Sequence, residues 1–230
     1  MSKNAAPLPE WEAVLSAAGR LQSLLPQAVL VGGTASALYA KHRFSRDADH
    51  VLADLRGHFG EILAQLESVA GWKTARVSAP VLILGKLDGI ETGVRQLIRA
   101  QPLETATLDF RGVSITLPTE AEILRIKGAL ILKRNAARDY LDFVALADHL
   151  GDERAALAMA PFDRLYGRDD GESAMQQLLA QLANALPFDL DEMEPGLKDY
   201  KNLDAKWHSW QSVKASCARL AVAVFDRLDP

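Results

Sequence analysis

Leu30 to Val51 reads LVGGTASALYAKHRFSRDADHV, and this stretch decides the fold. The short apolar run Ala28-Val29-Leu30-Val31 stops at Gly32-Gly33, the pattern of a buried strand entering a tight turn. Thr34 to Lys41 follows with small, helix-tolerant residues, so a short helix is expected directly after the glycines. Thirteen residues separate Gly33 from Asp47, and Asp47-Ala48-Asp49 falls in a second expected strand, Arg46 to Leu55. Residues two apart in a strand share a face, so Asp47 and Asp49 project together. Paired carboxylates repel and resist ionisation unless a cation sits between them. Oxygen donors without thiolate or imidazole suit Mg²⁺ or Mn²⁺, which recruit waters and phosphate oxygens for their remaining positions. The glycine turn supplies the complementary half, because its exposed N–H groups attract phosphate.

Working outward, Trp11 to Leu25 and Phe59 to Val69 carry apolar residues at helical spacing. Val77 to Leu87 and Ile90 to Ile98 are apolar segments joined by Asp88-Gly89, the strongest short hairpin signal, and Thr105 to Phe110 and Val113 to Leu117 flank Arg111-Gly112 in the same way. The texture changes at Pro118. Thr119 and Glu122 have the spacing of a capping box, with Ile123, Ile126, Leu130 and Ile131 following at helical intervals. Ala137 to Leu150, Ser173 to Leu186 and Leu203 to Leu228 are helical in period, and Gly167 to Gly171, with Asp169-Asp170, reads as plain loop. The expected architecture is α/β: a mixed-sheet domain over residues 1–117, then a helical C-terminal domain over 118–230.

The 230 residues carry 26 Lys+Arg against 30 Asp+Glu, a net charge of -4, so nucleic-acid contact must be local rather than a property of the whole surface. Cys217, the single cysteine, excludes an internal disulfide framework and any CxxC zinc site. No long apolar stretch reads as a signal peptide or membrane span, and a reducing cytoplasm is the expected location. The five histidines show no metal-ligand spacing. Trp207 and Trp210 read as core packing.

Gly32-Gly33 followed by Asp47-x-Asp49 resembles the signature of the nucleotidyltransferase superfamily, related to DNA polymerase β. The fuller string, with Arg43 and Ser45, resembles the AbiEii-type toxins of type IV toxin–antitoxin systems. Ile126-Lys127-Gly128-Ala129-Leu130, Arg134 and Arg138-Asp139-Tyr140-Leu141-Asp142 are similar to the Lys, Arg and Arg-Asp elements of that group. The resemblance covers roughly residues 29 to 150. It implies transfer of a nucleoside monophosphate from an NTP to a hydroxyl or phosphate acceptor, with release of pyrophosphate. Asp47 and Asp49 would be catalytic and would ligate Mg²⁺ or Mn²⁺, while Gly32, Gly33, Thr34, Ser45, Lys127 and Arg138 would bind the nucleotide. RNA, a tRNA end among its forms, is the acceptor it suggests, and a cognate antitoxin the partner.

Ile123, Lys127 and Ile131 share an i, i+4 ridge, so the Lys127 ammonium stands in an apolar stripe. A lysine there needs an anion, and a triphosphate would supply it. Asp139 would position that lysine, the metal or the acceptor, and Arg134 and Arg138 are i, i+4 neighbours if one helix continues through Asn135. The superfamily usually has a third carboxylate on a later strand. Near Gly93 to Leu97, where it is expected, the chain has Arg95 instead. Glu91, one strand step away, is the candidate third ligand, and His50 stands where an apolar residue is usual. The alternative is a non-catalytic module that kept the scaffold and binds a nucleotide, RNA or a partner.

Overall fold

The computed structural model describes residues 11–167 and 171–228. The Asp169-Asp170 pair and the opening ten residues lie outside the described residues. The chain forms two compact units, the first of residues 11–34, 44–98 and 105–117, the second of residues 35–43, 99–104 and 118–228. Residues 35–43 and 99–104 thus belong with the helices that follow Pro118.

In chain order, α1 (Trp11–Leu24) precedes β1 (Val29–Leu30), α2 (Gly32–Ala40) starts at the first glycine and passes into the second unit, and β2 (Asp47–Leu52), α3 (Phe59–Glu67), β3 (Trp72–Ser78), β4 (Leu82–Leu87) and β5 (Ile90–Gln96) follow in the first. These strands make one sheet in the order β1-β2-β5-β4-β3. The β2–β5 pair is parallel, whereas β1–β2, β5–β4 and β4–β3 are antiparallel. The expected Val77 to Leu87 segment is two strands, because the chain turns between Ser78 and Leu82. The other hairpin is β6 (Thr105–Phe110) and β7 (Val113–Pro118). Both hairpin turns take the positive φ values that their two-residue loops require: Asp88 52°, Gly89 85°, Arg111 52° and Gly112 79°.

The sheet has one apolar face. Leu52, Ile83, Leu87 and Val94 from the strands join Leu21 and Leu25 of the α1 region and Leu66 of α3 in one buried cluster. Burial along β2 alternates strictly, with Ala48, His50 and Leu52 buried and Asp47, Asp49 and Val51 half-buried. His50 thus occupies an apolar-face position, and burial lowers its pKa to about 4, so the ring is neutral near pH 7.

In the second unit α4 (Glu120–Arg134) is capped as expected, Thr119 accepting from Glu122 N at 3.2 Å. Asn135 terminates it in the left-handed region at φ 48°. A new helix, α5 (Ala137–Leu150), begins two residues later, so Arg134 and Arg138 are not neighbours on one continuous helix. The unit continues with α6 (Asp152–Met159), α7 (Phe162–Tyr166), α8 (Ala174–Ala183), α9 (Leu190–Met193) and α10 (Trp210–Leu228). Its core is built from α4, α5, α6, α8 and α10 and contains both Trp207, which ends a short 3₁₀ turn (Ala205–Trp207), and Trp210, which begins the last helix. Among the described residues no helix is long and apolar enough to cross a membrane.

Candidate active site

The first unit brings the glycine turn and the acidic pair together. Val31 N donates to Asp49 O at 2.8 Å, which fastens the end of the first apolar run to β2. Gly32 takes φ +73°, a conformation that costs an L-residue strain, and a β-carbon built on it would lie 3.7 Å from Asp49 Cβ and 4.0 Å from Asp49 Oδ2. The Asp49 carboxylate thus lies against the turn. Thr34, buried in the first turn of α2, donates its hydroxyl to Asp47 O. Ser45 Oγ, also buried, donates to Asp47 Oδ1 at 2.8 Å and so sets one oxygen of that carboxylate. Thr92 Oγ1 donates to Ala48 O at 2.5 Å and braces β2 between the two acids.

The parallel register of β2 and β5 places Asp47 beside Glu91, Asp49 beside Gly93 and Val51 beside Arg95. Glu91 thus shares a sheet face with the acidic pair, but its carboxylate is drawn toward β4, where Lys86 Nζ lies at 3.5 Å. Beside Asp49 there is no room for any side chain. A β-carbon on Gly93 would stand 2.3 Å from Ile83 O and 2.8 Å from Leu84 Cδ2. Among the described residues no group of three or more His, Cys, Asp or Glu side chains could hold a metal ion. Two carboxylates share one face of β2, with the glycine turn alongside.

The second unit gathers a buried charge cluster. Asp142 is the hub: its Oδ1 accepts from His42 Nε2 at 2.8 Å and Arg43 Nε at 2.8 Å, and its Oδ2 accepts from Arg43 Nη2 at 3.0 Å. Lys127 Nζ lies 2.7 Å from Asp142 Oδ2 and 3.2 Å from Asp139 Oδ1. Burial alone would raise the Asp142 pKa, but Arg43, Lys127 and His42 together bring it well below the usual carboxylate range. Lys127 therefore has two carboxylate partners inside the chain. Sequence reasoning singles out neither Asp142 as a hub nor the His42-Arg43 pair as its partners. One signal for Asp142 is its place three residues after Asp139, on the same helix face.

Arg138 is exposed in the first turn of α5, and Arg134 Nη1 lies 3.9 Å from Asp139 Oδ2. Although the helix breaks between them, both arginines line a cavity of about 560 Å³ with Phe188, Asp189, Met193 and Tyr200.

No protein-family model matches the chain. The heme uptake protein MmpL11 of Mycobacterium tuberculosis (strain H37Rv) is 37% identical over 131 residues, which is 56% of this chain and 13% of that protein. The mycolic acid-containing lipids exporter MmpL11 of Mycolicibacterium smegmatis is 34% identical over the same length. The chain spans about 13% of the length of these curated relatives. Among solved structures, an H. pylori protein assigned as a nucleotidyltransferase superposes with a TM-score of 0.55 at 16% identity, covering 96% of this chain and 98% of that one. ANT(2")-Ia, in complex with adenylyl-2"-tobramycin, superposes with a TM-score of 0.50 at 11% identity over 68% of this chain and 98% of that one. At such identities the likeness is one of architecture. The chain has the nucleotidyltransferase fold, an open mixed sheet followed by a helical C-terminal region.

Proposed function

We propose that the chain is a nucleotidyltransferase that moves an NMP from an NTP to an acceptor hydroxyl or phosphate. The observation that carries this reading is the placement of Asp47 and Asp49 on one face of β2, with Asp49 against Gly32 of the turn. In the transfer the acceptor oxygen bonds to the α-phosphorus as the bridging oxygen leaves with pyrophosphate.

The donor set suits a hard divalent cation, because it is two carboxylates with Ser45 fixing one oxygen and no sulfur or imidazole on that face. Asp47 and Asp49 would hold Mg²⁺ or Mn²⁺, and Glu91, in register beside Asp47, would join them only by leaving Lys86. Such an ion supplies charge neutralisation on the phosphates and lowers the pKa of the attacking hydroxyl. Gly32 and Gly33 form the start of α2, a helix N-terminus of the kind that attracts phosphate oxygens, and Thr34 and Ser45 hold Asp47 in place. In the helical unit the motif resemblance assigns Lys127 and Asp139, joined in a buried ion pair, to catalysis, and Lys127 and exposed Arg138 to nucleotide binding. An RNA acceptor, a toxin role and a cognate antitoxin enter this proposal through the motif resemblance.

A second reading, a binding module without transfer, is favoured by the crowding at Gly93, which denies β5 an acid beside Asp49. One experiment separates the two. The protein is incubated with each α-labelled NTP, Mg²⁺ and total RNA, in parallel with the Asp49→Asn variant. Label transfer that Asp49→Asn abolishes supports the transferase. NTP binding without transfer, unchanged by the substitution, supports the module.

A further inference from the structure

The sheet of the first unit carries cations that the proposed reaction does not use. Residues in register on adjacent strands leave a sheet on the same face. Tracing the register from β2 through β5 and β4 to β3 gives three rows: Asp47, Glu91, Lys86, Lys73; then Asp49, Gly93, Leu84, Arg76; then Val51, Arg95, Leu82, Ser78. The face that begins with the two carboxylates on β2 thus continues, strand by strand, into Lys73, Arg76, Lys86 and Arg95. Lys73, Arg76 and Lys86 are exposed and Arg95 is half-buried. The side chains of Lys73, Arg76 and Arg95 make no ion pair or hydrogen bond with any described residue. Glu91 is the one acid in these rows beyond β2, and it meets Lys86 at 3.5 Å, with both side chains at least half exposed.

This face has a polarity. The glycine turn lies on the β1 side of the acidic pair, and the cations lie on the β5 side. Phosphates of an NTP seated at the turn leave the opposite side for whatever receives the nucleotidyl group. Strands stand about 4.8 Å apart, and alternate residues along a strand are about 6.7 Å apart, so the four cations are spread over roughly 10 Å by 13 Å. A single phosphate needs convergent donors, whereas spread charges fit phosphates repeated along a chain. The rows contain no aromatic side chain, so the contact is to backbone and not to stacked bases.

We propose that the β3–β5 face, through Lys73, Arg76, Lys86 and Arg95, docks single-stranded nucleic acid by its phosphates, and that this strand is the acceptor. Its role as acceptor rests on the transferase reading; the docking does not.

The test is fluorescence anisotropy of the full chain with a labelled RNA oligonucleotide of mixed sequence, over roughly 50 to 200 mM salt. The double variant Arg76→Gln/Arg95→Gln should weaken binding and make the slope of log K against log salt shallower by about 1.4, since each single-strand phosphate that a cation neutralises contributes about 0.7. Lys198→Gln, an exposed lysine of the helical unit, should leave the slope unchanged. Circular dichroism confirms that both variants fold. A slope unaltered in the double variant overturns the proposal, as does failure of the wild-type chain to bind the oligonucleotide. Displacement by inorganic triphosphate as effective as by unlabelled oligonucleotide, at equal phosphate, also overturns it, because it reassigns the face to small polyphosphates. If the slope behaves as stated while no NTP labels any RNA, the docking surface stands and the transferase reading alone fails.

Discussion

Gly93 lies beside Asp49 in the register of β2 and β5, and a β-carbon there would stand 2.3 Å from the backbone oxygen of Ile83. A backbone atom cannot swing aside like the end of a flexible side chain, so the place where β5 could offer Asp49 an acidic neighbour is closed. Gly93→Ala should destabilise the chain by about 1–3 kcal/mol through overpacking, and Gly93→Asp by at least as much. Urea unfolding checks the first value. An alanine variant as stable as wild type would show that β4 and β5 can separate, and that a third carboxylate is sterically possible at this position.

Ser45 sets the orientation of Asp47 without touching the other acid. Ser45→Ala removes one hydrogen bond to a carboxylate, an interaction of about 1.5–3 kcal/mol when the acceptor is charged. The expected result is NMP transfer slowed by roughly tenfold to a hundredfold, with weaker Mg²⁺ dependence of the rate and little change in thermal stability. Wild-type kinetics in this variant would mean that Asp47 is held by the strand alone.

The sheet face is legible in the sequence because β2 obeys a strict period of two, so Asp47 and Asp49 have to project together, and because Asp88-Gly89 and Arg111-Gly112 fix their turns by backbone conformation. β3 is hidden: Trp72 is its one buried residue, and a strand with a single buried side chain leaves little apolar pattern to read. The break at Asn135 is readable in principle, since asparagine tolerates the left-handed conformation, but strong helical periodicity on both sides masks it. The charge cluster escapes sequence reasoning because its partners are remote. Asp142 is spaced like a surface acid on an amphipathic helix, and nothing local announces that His42 and Arg43, 100 and 99 positions away in the chain, supply its partners.

Asp142 neutralises Arg43 and Lys127 in a place that water does not reach. Asp142→Ala removes the carboxylate that Arg43 and Lys127 share and leaves Lys127 with Asp139, and removal of one partner from a buried ion pair costs about 3–5 kcal/mol. Because its folded pKa is depressed, the contribution of Asp142 to stability is present above the unfolded carboxyl value of about 3.9 and is lost as pH falls through the lower folded value. Guanidinium unfolding of wild type and Asp142→Ala at neutral pH tests the magnitude. A loss under about 1 kcal/mol would show that the helical unit rearranges to hydrate the cations.

His50 acts in a milder acid range. Its side chain is fully buried on the apolar face of β2, and burial holds its pKa at about 4, below the unfolded value of about 6.5. Between those values the unfolded chain takes up a proton that the folded chain refuses, so stability rises with pH across that window and falls on acidification. The difference of about 2.5 units corresponds to about 3 kcal/mol at its full extent. His50→Leu removes the titration while keeping an apolar side chain at the position. The stability of wild type relative to this variant, from urea unfolding at matched pH, should therefore decrease by about 3 kcal/mol between pH about 7 and pH about 4. A difference that stays constant over that range would mean that water reaches the ring, and that the apolar face of β2 opens directly behind the acidic pair.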